Sequence, residues 1–117
     1  MATTYERSFN ITATTGGVKL TPPAATLAAL SLATGTKLYA YNRLWLQNIG
    51  DDTVTFYTDE DGAPANAGEA TVAVLTLEPK QRDFIPVRHI DIEDYIDTES
   101  FYAISASGSQ IVIVTPE

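Results

Sequence analysis

Apolar and polar side chains alternate in short runs along most of this chain, the period of half-buried strands, and the period of a helix is hardly seen. The clearest run spans residues 38–49. One of its faces reads Leu38, Ala40, Asn42, Leu44, Leu46, Asn48, and the other Tyr39, Tyr41, Arg43, Trp45, Gln47, Ile49. The leucine face is expected in the core. After the turn-forming cluster Gly50-Asp51-Asp52, residues 53–58 alternate again, so the two runs read as an antiparallel hairpin.

Residues 5–12 place Phe9 and Ile11 among polar neighbours before Gly16-Gly17 breaks the run, which predicts a first strand or an extended arm. Between Thr21 and Gly35 the signals conflict. Thr21 is placed to cap a helix, with Pro22 at its first position and Gly35 beyond its end, yet Leu30 and Leu32 alternate as in a strand. We read a loop with one or two helical turns. Residues 59–68 carry Asp, Gly, Pro and Asn without period and read as a surface loop.

Strand composition resumes over 70–77, residues 78–81 turn the chain, and residues 83–87 can pair only at a sheet edge, because Pro86 lacks a donor. Residues 101–106 and 110–115, joined by Ser107-Gly108-Ser109, read as a second hairpin. The last run is apolar on both faces, with Ile111 and Ile113 on one and Val112 and Val114 on the other, so both faces should be covered, by the chain's own loops or by another subunit. About seven short strands without a long helix or an internal repeat predict an all-β fold, a small antiparallel β-sandwich or barrel-like sandwich. Residues 1–20 are expected to form an extended N-terminal arm and residues 21–117 the single sandwich domain.

Composition sharpens this reading. Sixteen Thr and sixteen Ile or Val suit a pleated surface, and the 117 residues have room for one core. No apolar run approaches the length of a membrane span. The absence of Cys excludes disulfides, zinc-thiolate sites and thiol catalysis. The net charge of −8 repels phosphate backbones, so direct nucleic-acid binding is not expected. That charge is uneven: residues 1–50 hold four bases and one acid, and residues 51–117 three bases and fourteen acids. The halves can neutralise each other within one fold, or a basic N-terminal arm can lie on the acidic body of a neighbouring copy. Residues 1–4 carry neither a basic nor an apolar run, so no export signal is expected.

Candidate chemistry is sparse. His89, the chain's one His, lies beside the acidic run 91–94, and a His–carboxylate pair activating Ser100 is conceivable, but no spacing selects a nucleophile. Residues 59–62 imitate the centre of an EF-hand loop, yet Tyr57 and Gly68 stand where ligands would be needed. A second acidic group, Asp91, Glu93, Asp94, Asp97 and Glu99, reads more simply as a solvated surface, so no metal and no cofactor is expected. Asn10-Ile11-Thr12 fits a glycosylation sequon without an export signal to make it relevant, and Gly16-Gly17 lacks the sequel of a phosphate loop.

What remains is the stripe Tyr39, Tyr41, Arg43, Trp45 and Gln47, made largely of residue types enriched at binding hot spots. It reads as an interface or, equally, as rings plugging the end of the core. Ile111 and Ile113 join the candidate interface as the uncovered side of the last strand. A carbohydrate platform uses the same ring types as the stripe.

The run Leu44-Trp45-Leu46-Gln47-Asn48-Ile49-Gly50-Asp51-Asp52-Thr53-Val54 is followed by Leu77-Glu78-Pro79 and Asp83. Phe101-Tyr102-Ala103-Ile104-Ser105-Ala106-Ser107-Gly108 and an Ile- and Val-rich strand ending in Glu117 come after them. Together these resemble small β-sandwich virion structural proteins of tailed bacteriophages, over residues 38–117. Residues 18–37 depart from the shorter linker expected of such proteins. The resemblance implies a non-enzymatic capsid decoration or cement subunit, assembled in the host cytoplasm as a homo-oligomer and contacting the major capsid protein or neighbouring head or tail subunits. A head–tail connector or tail accessory protein is the alternative within that class. A carbohydrate-binding module using Trp45 and the neighbouring tyrosines is the alternative outside it.

Overall fold

The computed structural model describes residues 7–58, 72–87 and 95–117. Their strands are β1 (Phe9–Ala13), β2 (Val18–Lys19), β3 (Tyr39–Ala40), β4 (Arg43–Asn48), β5 (Val54–Thr58), β6 (Val72–Leu77), β7 (Arg82–Pro86), β8 (Ile96–Asp97), β9 (Phe101–Ser105) and β10 (Gln110–Pro116). Four of them form one antiparallel sheet in the order β1-β10-β4-β7, four form a second in the order β2-β9-β5-β6, and β3 with β8 makes a short ribbon. The two orders match position by position, so that β1 and β2, β10 and β9, β4 and β5, and β7 and β6 hold equivalent places in the two sheets. This is the strand order of a jelly roll, an antiparallel β-sandwich as the alternation predicts.

The core lies between the sheets and follows the period of two. Leu44 and Leu46 of β4, Val112 and Val114 of β10, and Phe9, Ile11 and Ala13 of β1 face Val54 and Phe56 of β5 with Phe101 and Ala103 of β9, all buried. Each fully buried aliphatic or phenyl side chain contributes on the order of 1.5–3 kcal/mol. In β7, Ile85 points inward while Arg82 and Pro86 point out. Pro86 sits on an edge strand of the sheet, where its missing donor leaves no ladder bond unmade.

Three expectations are corrected. The two runs flanking Gly50-Asp51-Asp52 do not pair: β4 lies between β10 and β7, whereas β5 lies between β9 and β6. The runs flanking residues 107–109 likewise belong to opposite sheets. Each connection is an arch over the end of the sandwich rather than a hairpin within a sheet. The physical reason is that both flanking strands carry an apolar face, and an arch turns both faces into the same core. The third correction concerns residues 1–20. Residues 1–6 lie outside the described residues, but Phe9, Ile11 and Ala13 are buried, β1 pairs along its length with β10, and β2 pairs with β9. Residues 9–19 are therefore built into both sheets rather than lying as an arm, because Phe9, Ile11 and Ala13 share one buried face.

The 38–49 run bends at residues 41–42, so β3 leaves the sheet to pair with β8 while β4 remains in it. The ambiguous segment contains one short helix, α1 (Ala24–Ala29), which starts after Pro23 rather than at Thr21. It ends at Ser31, whose φ of 61° is left-handed, with Leu32 N bonded to Leu27 O at 2.8 Å and Ser31 N to Ala28 O at 3.0 Å. Six residues are too few to be stable alone, and Leu27, 1% exposed, pins the helix to the core.

The two neighbouring arches brace each other through polar side chains. Buried Asn48 donates through Nδ2 to Asp52 O at 2.7 Å and Leu77 O at 3.2 Å, and its Oδ1 accepts from Gly50 N at 2.9 Å. Gln110 Oε1 accepts from Asp51 N at 2.7 Å, and its Nε2 donates to Ser107 O at 3.0 Å. Gly108 takes the left-handed φ of 55° that closes the second arch, and Ser105 Oγ donates to its carbonyl. The Asp52 carboxylate accepts from Ser107 Oγ and from Thr53 N.

The close approach of Gln110 to Gly50 leaves no room for a side chain there: a Cβ would stand 2.1 Å from Gln110 Oε1. Gly50→Ala is therefore expected to destabilise the chain by about 1–3 kcal/mol, as overpacking does, in denaturant unfolding. An unchanged midpoint would contradict the brace. The hydrogen bond from Ser107, and then that from Thr53 N, hold the Asp52 carboxyl below the usual carboxylate range. A depressed folded-state pKa stabilises the protein above the ordinary carboxylate pKa, and the contribution is lost as pH falls through the folded value. Ser107→Ala should raise the Asp52 pKa in an NMR titration; an unmoved value would place the Ser107 hydroxyl elsewhere.

Candidate outer sheet face

Because successive side chains of a strand point to opposite sides, burying the leucine face of β4 obliges Arg43, Trp45 and Gln47 to point outward from the first sheet. The antiparallel register then decides their neighbours. Trp45 stands opposite Phe84 of β7 and Thr115 of β10, and Gln47 stands opposite Arg82 and Ile113. Ile111 and Ile113 of β10 also point outward and pair with Thr12 and Asn10 of β1. Four of the six predicted interface residues, Arg43, Trp45, Ile111 and Ile113, are therefore brought together on one sheet face.

A ladder of rings and guanidinium groups runs along β4 and β7. The Arg82 guanidinium lies 3.9 Å from the Trp45 ring centroid, the Trp45 and Phe84 centroids are 4.9 Å apart, and Arg43 stands 5.3 Å from the Phe84 centroid. Glu117 closes one end, its Oε1 accepting from Arg43 Nη1 at 3.1 Å and from Trp45 Nε1 at 3.3 Å. Trp45 is thus held by a stacked cation, a neighbouring ring and a hydrogen bond. Beside it opens a concavity of about 460 Å3 lined by Ser8, Gln47, Arg82, Ile113 and Thr115, with Ser8 Oγ and Thr115 Oγ1 2.7 Å apart.

Tyr39 and Tyr41 fall elsewhere. The bend at residues 41–42 moves them to the β3–β8 ribbon, where Tyr39 meets Tyr95 edge-on at 4.9 Å and Tyr41 meets it tilted at 6.4 Å. Tyr41 is 58% and Tyr95 44% exposed. Arg7 donates to Tyr39 O, and burial pushes its pKa below the ordinary guanidinium value. Lys37, also beside the ribbon, pairs with Asp97 at 3.3 Å, and that hydrogen bond raises its pKa. The predicted six-residue interface is therefore two patches.

Arg82, Phe84 and Glu117 were not recognised as members of the face from the sequence. Arg82 and Phe84 alternate as Arg43 and Trp45 do, which was the available signal, but only the register places them side by side. His89 and the acidic runs 59–62 and 91–94 lie outside the described residues. Among the described residues no group of three or more His, Asp or Glu gathers as metal ligands, and Asp97 instead caps the 3-10 turn Thr98–Ser100 through Glu99 N. Asn10 is exposed on β1. No protein family, curated protein or solved structure matches the chain.

The face as a whole has an unusual charge. No outward position of β1, β10, β4 or β7 is Asp or Glu, although the chain has fifteen of them. Arg43 and Arg82 are the charged residues at those positions, among Trp45, Phe84, Ile111 and Ile113, and Glu117 follows just beyond the end of β10. If this face contributes little to the isolated fold, Ile111→Thr should change stability by less than about 1 kcal/mol. Leu46→Ala, on the other side of the same sheet, should cost about 2–5 kcal/mol in the same denaturant titration. Equal losses would contradict the division into a core face and a free face.

Proposed function

We propose that the chain is a non-enzymatic structural protein of a tailed-phage virion. It is a capsid decoration or cement subunit, assembled in the host cytoplasm, and it works by burying the outer face of its first sheet against other virion proteins. The observation that carries this reading is the outer-face strip of Trp45, Phe84, Ile111 and Ile113, with Ile111 44% exposed, the other three half-buried and no Asp or Glu at the outward strand positions, on a chain of net charge −8. Aromatic, aliphatic and Arg side chains together are the composition of protein contact surfaces. Jelly rolls build viral capsid domains, but lectins and cupins as well, so the topology is compatible with this reading without selecting it.

The same geometry weighs against Trp45 as a sugar platform, since Arg82 already stacks on its ring. The face gives no choice between a head-surface position and a connector or tail accessory position, and copy number separates them. The full-length chain is expected to co-sediment with the particles of the phage that encodes it in hundreds of copies. On the order of six to twelve copies would make it a ring component of the neck or tail. Ile111→Glu should abolish retention without lowering the melting temperature. Retention of that variant at the wild-type level would overturn the assignment of this face.

A further inference from the structure

We infer that the outer face of the β1-β10-β4-β7 sheet takes a carboxylate-bearing surface of a second copy of this chain, with Arg82 as its recognition element, so that copies associate head to tail rather than as a face-to-face dimer. This rests on the reading of that face as a contact surface and adds the identity and arrangement of its partner. Arg82 is set up for the role. Its guanidinium stacks on Trp45, which fixes the plane of its donors, and among the described residues it makes no ion pair or hydrogen bond of its own. A stacked guanidinium with free N–H groups presents a fork that fits a carboxylate bidentately. It also lines the concavity beside Trp45, where Ile113 provides apolar surface next to the charge.

The charge of the molecule names the occupant. Carboxylates are absent from the outward positions of these four strands, while residues 51–117 hold fourteen acids. A second copy therefore supplies the missing group from any surface except this one. Glu117, at the margin of the face, is already engaged by Arg43 and Trp45. Two copies meeting face to face would offer each Arg82 no carboxylate but that of Glu117, which Arg43 and Trp45 already hold, so the desolvation of two guanidinium groups would be poorly compensated. Contact between this face of one copy and carboxylates elsewhere on the next avoids that cost. Such a contact is heterologous, and it closes as a ring or continues as a lattice.

Sedimentation velocity of the full-length chain, over a range of protein concentration at low and high salt, tests this. The expected result is reversible assembly beyond a dimer that weakens as salt rises, with Arg82→Glu weakening association at least about tenfold. Arg82→Gln, which keeps a planar amide over Trp45, guards against a folding defect: the protein should stay cooperatively folded, with no more than the small drop in melting temperature that loss of one surface cation–ring contact brings, and its association should be lost. A monomer at every concentration, a dimer that goes no further, or wild-type association by Arg82→Gln would each overturn the inference. The contact-face reading has a separate readout. If the chain is monomeric and Ile111→Glu still loses its particles, the face is a contact surface whose partner is a different protein, and the self-association alone falls.

Discussion

The whole structure depends on one constraint: the chain must turn the apolar faces of consecutive strands toward the same interior while moving from one sheet to the other. β4 hands over to β5 and β9 to β10 across the end of the sandwich, and in each case both strands keep their aliphatic or aromatic side chains inside. An arch of this kind takes backbone N–H and C=O groups out of the ladders at the point where the core ends, and those groups need partners. Asn48 and Gln110 supply them from inside. Each is a polar residue at a position that the alternation assigns to the core; Asn48 ties its own arch to Leu77 O, and Gln110 ties its own arch to Asp51 N of the other. The arches are consequently not independent loops, and the tight fit of Gly50 under Gln110 is where they touch.

Once the inner faces are committed, the outer face of the first sheet follows from strand order. Bringing β10 between β1 and β4 sets Ile111 and Ile113 beside Trp45 and Gln47, and adding β7 at the edge sets Arg82 and Phe84 on the other side. The ladder of cations and rings is therefore a product of topology, not of any local motif. Its members stabilise one another, yet Ile111 remains 44% exposed and the neighbouring concavity stays open.

How far the sequence could be read follows the range of the interactions involved. The strands and the buried faces were legible because a period of two is local: Leu44, Leu46, Val112, Val114, Val54 and Phe56 all lie inside as the pattern requires. Pro86 likewise marked an edge strand from its own chemistry. Strand partners were not legible. Gly50-Asp51-Asp52 and Ser107-Gly108-Ser109 carry the residues of hairpin turns, and only contacts from distant segments, such as Leu77 O to Asn48, make them arches. The polar Asn48 at the end of an otherwise aliphatic face was the clue available. For the candidate site, alternation set Arg43, Trp45, Ile111 and Ile113 on outward positions, and the sheet order brings them to one face. Tyr39 and Tyr41 were attached to them because the bend at residues 41–42 has no Gly or Pro to announce it. The basic charge of the N-terminal segment suggests an arm, and the shared face of Phe9, Ile11 and Ala13 is the local signal of the strand it forms.

If the outer sheet face is a contact surface, it is covered when the protein is in its working state, and Trp45, the single Trp of the chain, lies within that face and reports on it directly. Acrylamide quenching of its fluorescence should be measured on the dilute chain, on the concentrated chain and on particle-bound chain. A quenching constant that falls on concentration or binding, with a blue shift of the emission, is the predicted result. Equal quenching in all three states would contradict the account.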